Sequence, residues 1–167
     1  MLEKNSWCSL ETPLDLFAAF YPTWLIQHKL EGLIWALAKN ASQCPQGALF
    51  AERFDARMQR LKEKSELFES DLSQTLKTLS QHNIYPIILK GAATSHALYD
   101  TPYLRPQSDI DLFVDSNDSI RVHGILKNRG MTLKYFTGFV TNQFGYQQKT
   151  LNHNAIPYDI HWKINKF

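Results

Sequence analysis

The sequence predicts an α+β protein: a helical region over residues 1–82, packed against a strand-rich core over residues 83–167. Three observations carry this expectation. In the first half, apolar residues recur at steps of three and four, the period of a helix with one buried face. After residue 83 they fall in short continuous or alternating runs, separated by Gly, Pro, Asn and Asp. Of the 167 residues, 44% are hydrophobic and 13% aromatic, which supplies a core and excludes a disordered tail.

Taken in order, Ser9 or Thr12 is placed to cap a short helix carrying Leu14, Leu16, Phe17 and Phe20, ended by Pro22. Leu25, Ile26, Leu30, Leu33, Ile34 and Leu37 form a second amphipathic run. Residues 41–47, with Ser42, Pro45 and Gly47, read as a loop. Phe50, Phe54, Met58, Leu61, Phe68, Leu72, Leu76 and Leu79 then mark a long helix, about 30 residues or roughly 45–50 Å at its usual rise. It reads as cover for the following sheet rather than as a free coiled coil. Asn83 suits a left-handed cap.

The run Ile84 to Leu89 reads as a buried strand, with Pro86 favouring an edge or early strand position. Lys90-Gly91 breaks it. Ala92 to Tyr99 reads as a short helix, and Pro102 and Pro106 mark a loop. Ile110 to Val114 is a second strand. Ser116 to Asp118 cap a helix stopped by Gly130. Met131 to Phe136, Phe144 to Leu151 and Ile156 to Ile164 complete five strands.

The chain has 18 Lys+Arg against 16 Asp+Glu, and this balance is too even for a dedicated nucleic-acid clamp. Past Asp118, however, Asp159 is the sole acid among seven basic residues, a mild sign of an anionic ligand. Cys8 and Cys44 make neither a disulfide framework nor a zinc cluster, and fit a reducing compartment. The start lacks the apolar stretch of a signal peptide, and no run approaches a membrane span. The expectation is a cytoplasmic protein with no membrane partner.

Chemistry concentrates in Ser108-Asp109-Ile110-Asp111-Leu112-Phe113-Val114. Strand side chains alternate, so Asp109 and Asp111 share one face and Ile110, Leu112 and Val114 the other. Two carboxylates about 7 Å apart repel by roughly 2 kcal/mol at an effective dielectric of 20. A cation relieves that repulsion, and oxygen ligands favour Mg²⁺ or Mn²⁺. In Tyr158-Asp159-Ile160-His161-Trp162-Lys163-Ile164 the same alternation puts Asp159, His161 and Lys163 on one face. If the two strands are neighbours, three carboxylates converge, enough for two divalent ions. Lys90-Gly91 adds a strand end opening into a helix, a seat for phosphate with a lysine beside it.

Together, Ile88-Leu89-Lys90-Gly91-Ala92-Ala93, Leu104-Arg105-Pro106-Gln107-Ser108-Asp109-Ile110-Asp111-Leu112-Phe113-Val114 and Asp159-Ile160-His161-Trp162 resemble the polymerase-beta-like nucleotidyltransferase superfamily. The likeness is to a largely uncharacterised bacterial branch with a Leu-Lys-Gly, Arg, Asp-Ile-Asp-Leu and Asp-Leu-His-Trp pattern. It covers residues 84–164 by motif and about 23–83 by layout. The resemblance implies a mixed sheet with helices behind it, two divalent ions, and transfer of a nucleotidyl group from an NTP. It implies that Asp109 and Asp111 bind the metals holding the triphosphate and that Asp159 completes the catalytic metal site. Lys90, Gly91, Arg105 and Ser108 would then contact the nucleotide. The superfamily usually has Gly-Ser at the helix start. This chain has Gly91-Ala92, with Ser95 one turn on.

The resemblance leaves the acceptor open among small molecules, RNA ends and protein hydroxyls. Members of this branch continue past the His-Trp strand into helices that wall the pocket, whereas this chain ends at Phe167. A core lacking those helices is therefore expected, with a continuation or a partner chain completing the wall. Two other classes compete. One is a non-catalytic nucleotide-binding or interaction module on the same fold. The other is an Asp-x-Asp glycosyltransferase, which accounts less well for Asp159 and Lys90-Gly91.

Overall fold

The computed structural model describes residues 22–40, 45–136, 143–149 and 155–163. The helix expected between Ser9 and Phe20 lies outside them. The described residues are α+β and divide into two compact units. One is drawn from residues 1–65 with Tyr99–Pro106, the other from Glu66–Leu98 with residues from Gln107 onward.

The first unit holds α1 (Pro22–Gln27), α2 (Glu31–Asn40) and the start of α3 (Pro45–Ser80). The run from Leu25 to Leu37 is thus two helices, not one. Lys29 takes a left-handed φ of 56°. Its N–H donates to the Ile26 carbonyl at 3.1 Å, and the Leu30 N–H donates to the Leu25 carbonyl at 2.9 Å. That pair of bonds is a Schellman stop. Leu25 and Leu30 face the same core on either side of it, so the apolar spacing gives no sign of the break.

The long helix starts at Pro45, inside the expected loop, because proline is at home in a first turn where its missing N–H has no partner to lose. At 36 residues it is longer than expected, about 54 Å at the standard rise. Ala51, Phe54 and Met58 pack with Leu25, Ala38 and Leu104, the last from the 3₁₀ turn Pro102–Leu104. Gly32 touches that turn so closely that a Cβ would fall on the Leu104 carbonyl.

The second unit takes α3 from Glu66, then β1 (Ile87–Leu89), α4 (Lys90–Leu98), β2 (Ile110–Phe113), α5 (Ser119–Asn128), β3 (Thr132–Phe136), β4 (Gln143–Lys149) and β5 (Ala155–His161). The strands form one mixed sheet in the order β1-β2-β5-β4-β3. Among the described residues β2 and β5 are the parallel pair, and the other neighbours are antiparallel.

Two helices in this unit also end in left-handed caps, as expected. Asn83 has φ 59° and Gly130 φ 87°. The following residues, Ile84 and Met131, donate back to Leu79 and Leu126 at 3.1 and 3.0 Å. The cap draws Ile84 into the core, so the strand starts only at Ile87. As an edge strand β1 leaves Ile87 exposed, where a buried strand was expected.

Phe68, Leu72 and Leu79 of α3 pack with Val122 and Leu126 of α5. These helices meet Ile110 and Leu112 of β2 and Ile156, Tyr158 and Ile160 of β5. A polar seam crosses this core. The Tyr158 hydroxyl donates to Asp71 at 2.6 Å, and Arg129 donates to Asp71 and to the Thr75 hydroxyl at 2.7 Å each. Burial, then the neighbouring Asp71 charge, hold the Tyr158 phenol far above its ordinary value, so it remains a neutral donor. Among the described residues no helix is long and apolar enough to cross a membrane.

Candidate functional site

With one face of β2 and β5 committed to the core, their alternate residues project from the other face. The parallel register sets Asp111 opposite Asp159 and Phe113 opposite His161. A carboxylate oxygen of Asp111, one of Asp159 and an imidazole nitrogen of His161 lie within 4.8 Å of one another. The neighbourhood anticipated for the two strands is therefore realised. Asp111 is 2% exposed, so its charge is held largely out of water and depends on partners.

Two cationic or hydrogen-bonding groups meet that charge at one atom. Lys90 Nζ donates to Asp111 Oδ1 at 2.6 Å, and His161 Nε2 lies 2.9 Å from the same oxygen. The topology explains the lysine. Leu89 pairs with Asp111 across the β1–β2 ladder, so the next residue emerges beside the carboxylate. Lys90 makes the change from strand to helix with a left-handed φ of 48°, a conformation non-glycine residues rarely adopt and one associated with functional sites. The hydrogen bond to Asp111 raises the Lys90 pKa above its usual value. Burial opposes that shift, and the charges of Asp111, Asp109 and Asp159 add to it.

The other expected residues are distributed differently. Asp109 stands outside the close group, and its carboxylate accepts a hydrogen bond from the Ser108 hydroxyl at 2.8 Å. Its charge still reaches Lys90. Gly91 lies in the first turn of α4. Arg105 belongs to the first unit, where its N–H closes the 3₁₀ turn on Pro102. Ser95, one turn beyond Gly91, is fully buried. Its hydroxyl donates to the Ala92 carbonyl at 2.9 Å and accepts from Gln107 at 2.7 Å, so it locks the loop before β2 onto α4. His161 is not among the site residues expected from the sequence, although the alternation that puts it on the Asp159 face is the signal that could have found it.

The donor set suits a divalent cation. Ligands on opposite sides of one ion at about 2.0–2.2 Å stand about 4.0–4.4 Å apart, so three atoms within 4.8 Å of one another are near the spacing that a shared ion needs. Two in-register aspartates, with Asp109 nearby, outweigh the single Lys90 charge. The site can therefore bind a cation, and through it or through Lys90 an anionic group such as phosphate.

A family model described as an uncharacterised nucleotidyltransferase matches residues 21–166. No curated protein matches the chain.

Proposed function

Since the chain belongs to this family of uncharacterised nucleotidyltransferases, we propose that it moves an NMP group from an NTP to a hydroxyl acceptor, with release of pyrophosphate. Mg²⁺ or Mn²⁺ would be held by Asp109, Asp111 and Asp159, and the chemistry would reside in residues 83–167. The observation that carries this reading is the meeting of Asp111, Asp159 and His161 across the parallel strands beside Lys90. When bound, the ions supply Lewis acidity at the acceptor oxygen and neutralise phosphate charge.

The chain's own groups have separable tasks. Lys90, released from Asp111, meets the triphosphate, and the start of α4 at Gly91 offers it N–H groups. Ser108 is a further candidate contact. Asp159 orients the acceptor hydroxyl and receives its proton as the new O–P bond forms at the α-phosphorus. The bond from the α-phosphorus to the bridging oxygen breaks, and pyrophosphate leaves. The acceptor is a small molecule, an RNA end or a protein hydroxyl. A cytoplasmic site of action fits the cysteine usage and the need for NTP.

One observation favours a second reading, a nucleotide-binding module without catalysis: Lys90 and His161 already hold the Asp111 oxygen. A pyrophosphate-release assay separates the two. The chain is incubated with each NTP, Mg²⁺ or Mn²⁺, and a panel of small-molecule, RNA and protein acceptors. Release that ceases in Asp111→Asn is expected. Nucleotide binding with no release across the panel would favour the second reading.

A further inference from the structure

We propose that His161 is itself a ligand of the cation held by Asp111 and Asp159, and that this imidazole turns the site's preference from Mg²⁺ toward Mn²⁺ and later transition ions. The proposal rests on the nucleotidyl-transfer reading of the same site but assigns a donor that the Asp109–Asp111–Asp159 set does not contain, and an order of preference among the ions.

Placement is the first ground. The imidazole shares a close group with two in-register carboxylates, whereas Asp109 lies outside that group and pairs with Ser108. His161 is the last residue of β5 and stands opposite Phe113 in the parallel ladder. Its backbone carbonyl accepts from the Val114 N–H at 2.8 Å, and Gln143 of β4 pairs with it on the other side, so the residue is anchored from both sides. The side chain is 15% exposed, which restricts the positions the ring can take.

Donor chemistry is the second ground. Mg²⁺ prefers oxygen ligands in near-ideal octahedral geometry and sheds its waters reluctantly, whereas imidazole suits transition metals. A site of two carboxylates and one imidazole therefore gains affinity along the series from Mn²⁺ to Co²⁺ and Zn²⁺. The present contact between His161 Nε2 and Asp111 Oδ1 holds the ring close to the oxygen with which it would share the ion. Ligation takes the tautomer with its proton on Nδ1, leaving the Nε2 lone pair free.

Pulsed EPR of the 167-residue chain loaded with Mn²⁺ tests this directly, because coupling to an imidazole ¹⁴N reports a metal-bound histidine. The coupling is expected in the wild-type chain and absent in His161→Gln. Direct titration of His161→Gln is expected to show Mn²⁺ and Co²⁺ affinity lowered by about tenfold or more, with Mg²⁺ affinity changed by less than about twofold. Wild-type Mn²⁺ binding that Asp111→Asn abolishes, but that shows no ¹⁴N coupling or keeps it in His161→Gln, would overturn the histidine assignment and leave the carboxylate site standing. Wild-type protein that binds no Mn²⁺, or binds it equally well in Asp111→Asn, would overturn both. Because absence of the coupling from the wild-type spectrum already overturns the assignment, a folding defect in His161→Gln does not shield it.

Discussion

At the scale of single residues, the proposed metal site sets Lys90 and a divalent ion in competition for one atom. The ammonium lies 2.6 Å from Asp111 Oδ1, where it is counter-ion to a buried carboxylate. On the proposed reading a metal bound at that oxygen would displace it, and the same group would then be available to a phosphate. Lys90→Gln removes the competitor while retaining a polar side chain. Mn²⁺ affinity should rise several-fold in this variant and nucleotide affinity should fall, both read by calorimetric titration. A fall in Mn²⁺ affinity would show that Lys90 supports the ion rather than competing with it. This role could be suspected from Lys90-Gly91 at the end of an apolar run. The register that sets Leu89 beside Asp111 could not, because pairing between strands leaves no local mark on either.

At the scale of elements, β5 serves two faces at once. Its even-numbered residues Ile156, Tyr158 and Ile160 are buried in the core, while Asp159 and His161 carry the candidate site. Tyr158 fixes the strand to α3 through Asp71 and Thr75, and Arg129 supplies Asp71 with its positive partner. Arg129→Met leaves a largely buried carboxylate without its counter-charge and should cost about 3 kcal/mol. Tyr158→Phe removes one donor from the same carboxylate and should cost less, about 1–2 kcal/mol. Urea denaturation followed by far-UV circular dichroism measures both. The reverse order would show that solvent, rather than Arg129, satisfies Asp71.

Alternation made both faces of β2 and β5 readable in the sequence, as did the left-handed caps at Asn83 and Gly130. The stop at Lys29 was not readable, because lysine is a poor marker of positive φ and the apolar spacing continues through it. The early start of α3 at Pro45 was hidden for a related reason: the same proline that suits a loop also suits a first helical turn. Ile84 reads as a strand residue by its hydrophobicity, although that hydrophobicity serves the helix cap.

At the scale of the whole molecule, α3 contributes to two units with separate cores. Phe54 and Met58 belong to one, and Phe68, Leu72 and Leu79 to the other. The second unit brings Asp111, Asp159 and His161 together although about fifty residues separate the first from the others in the chain. Parallel pairing requires such a crossover, and the sequence could offer it only as a condition. The family match places the chain among uncharacterised nucleotidyltransferases, and the proposed function makes a cation the link between these carboxylates and a triphosphate. Calorimetric titration of each NTP into the 167-residue chain, with and without Mg²⁺ or Mn²⁺, tests that link most directly. At least one NTP should bind only in the presence of the ion, with affinity falling by about tenfold or more, at least about 1.4 kcal/mol, in both Asp111→Asn and Asp159→Asn. Nucleotide affinity that is independent of the ion, or unchanged in both variants, would contradict it.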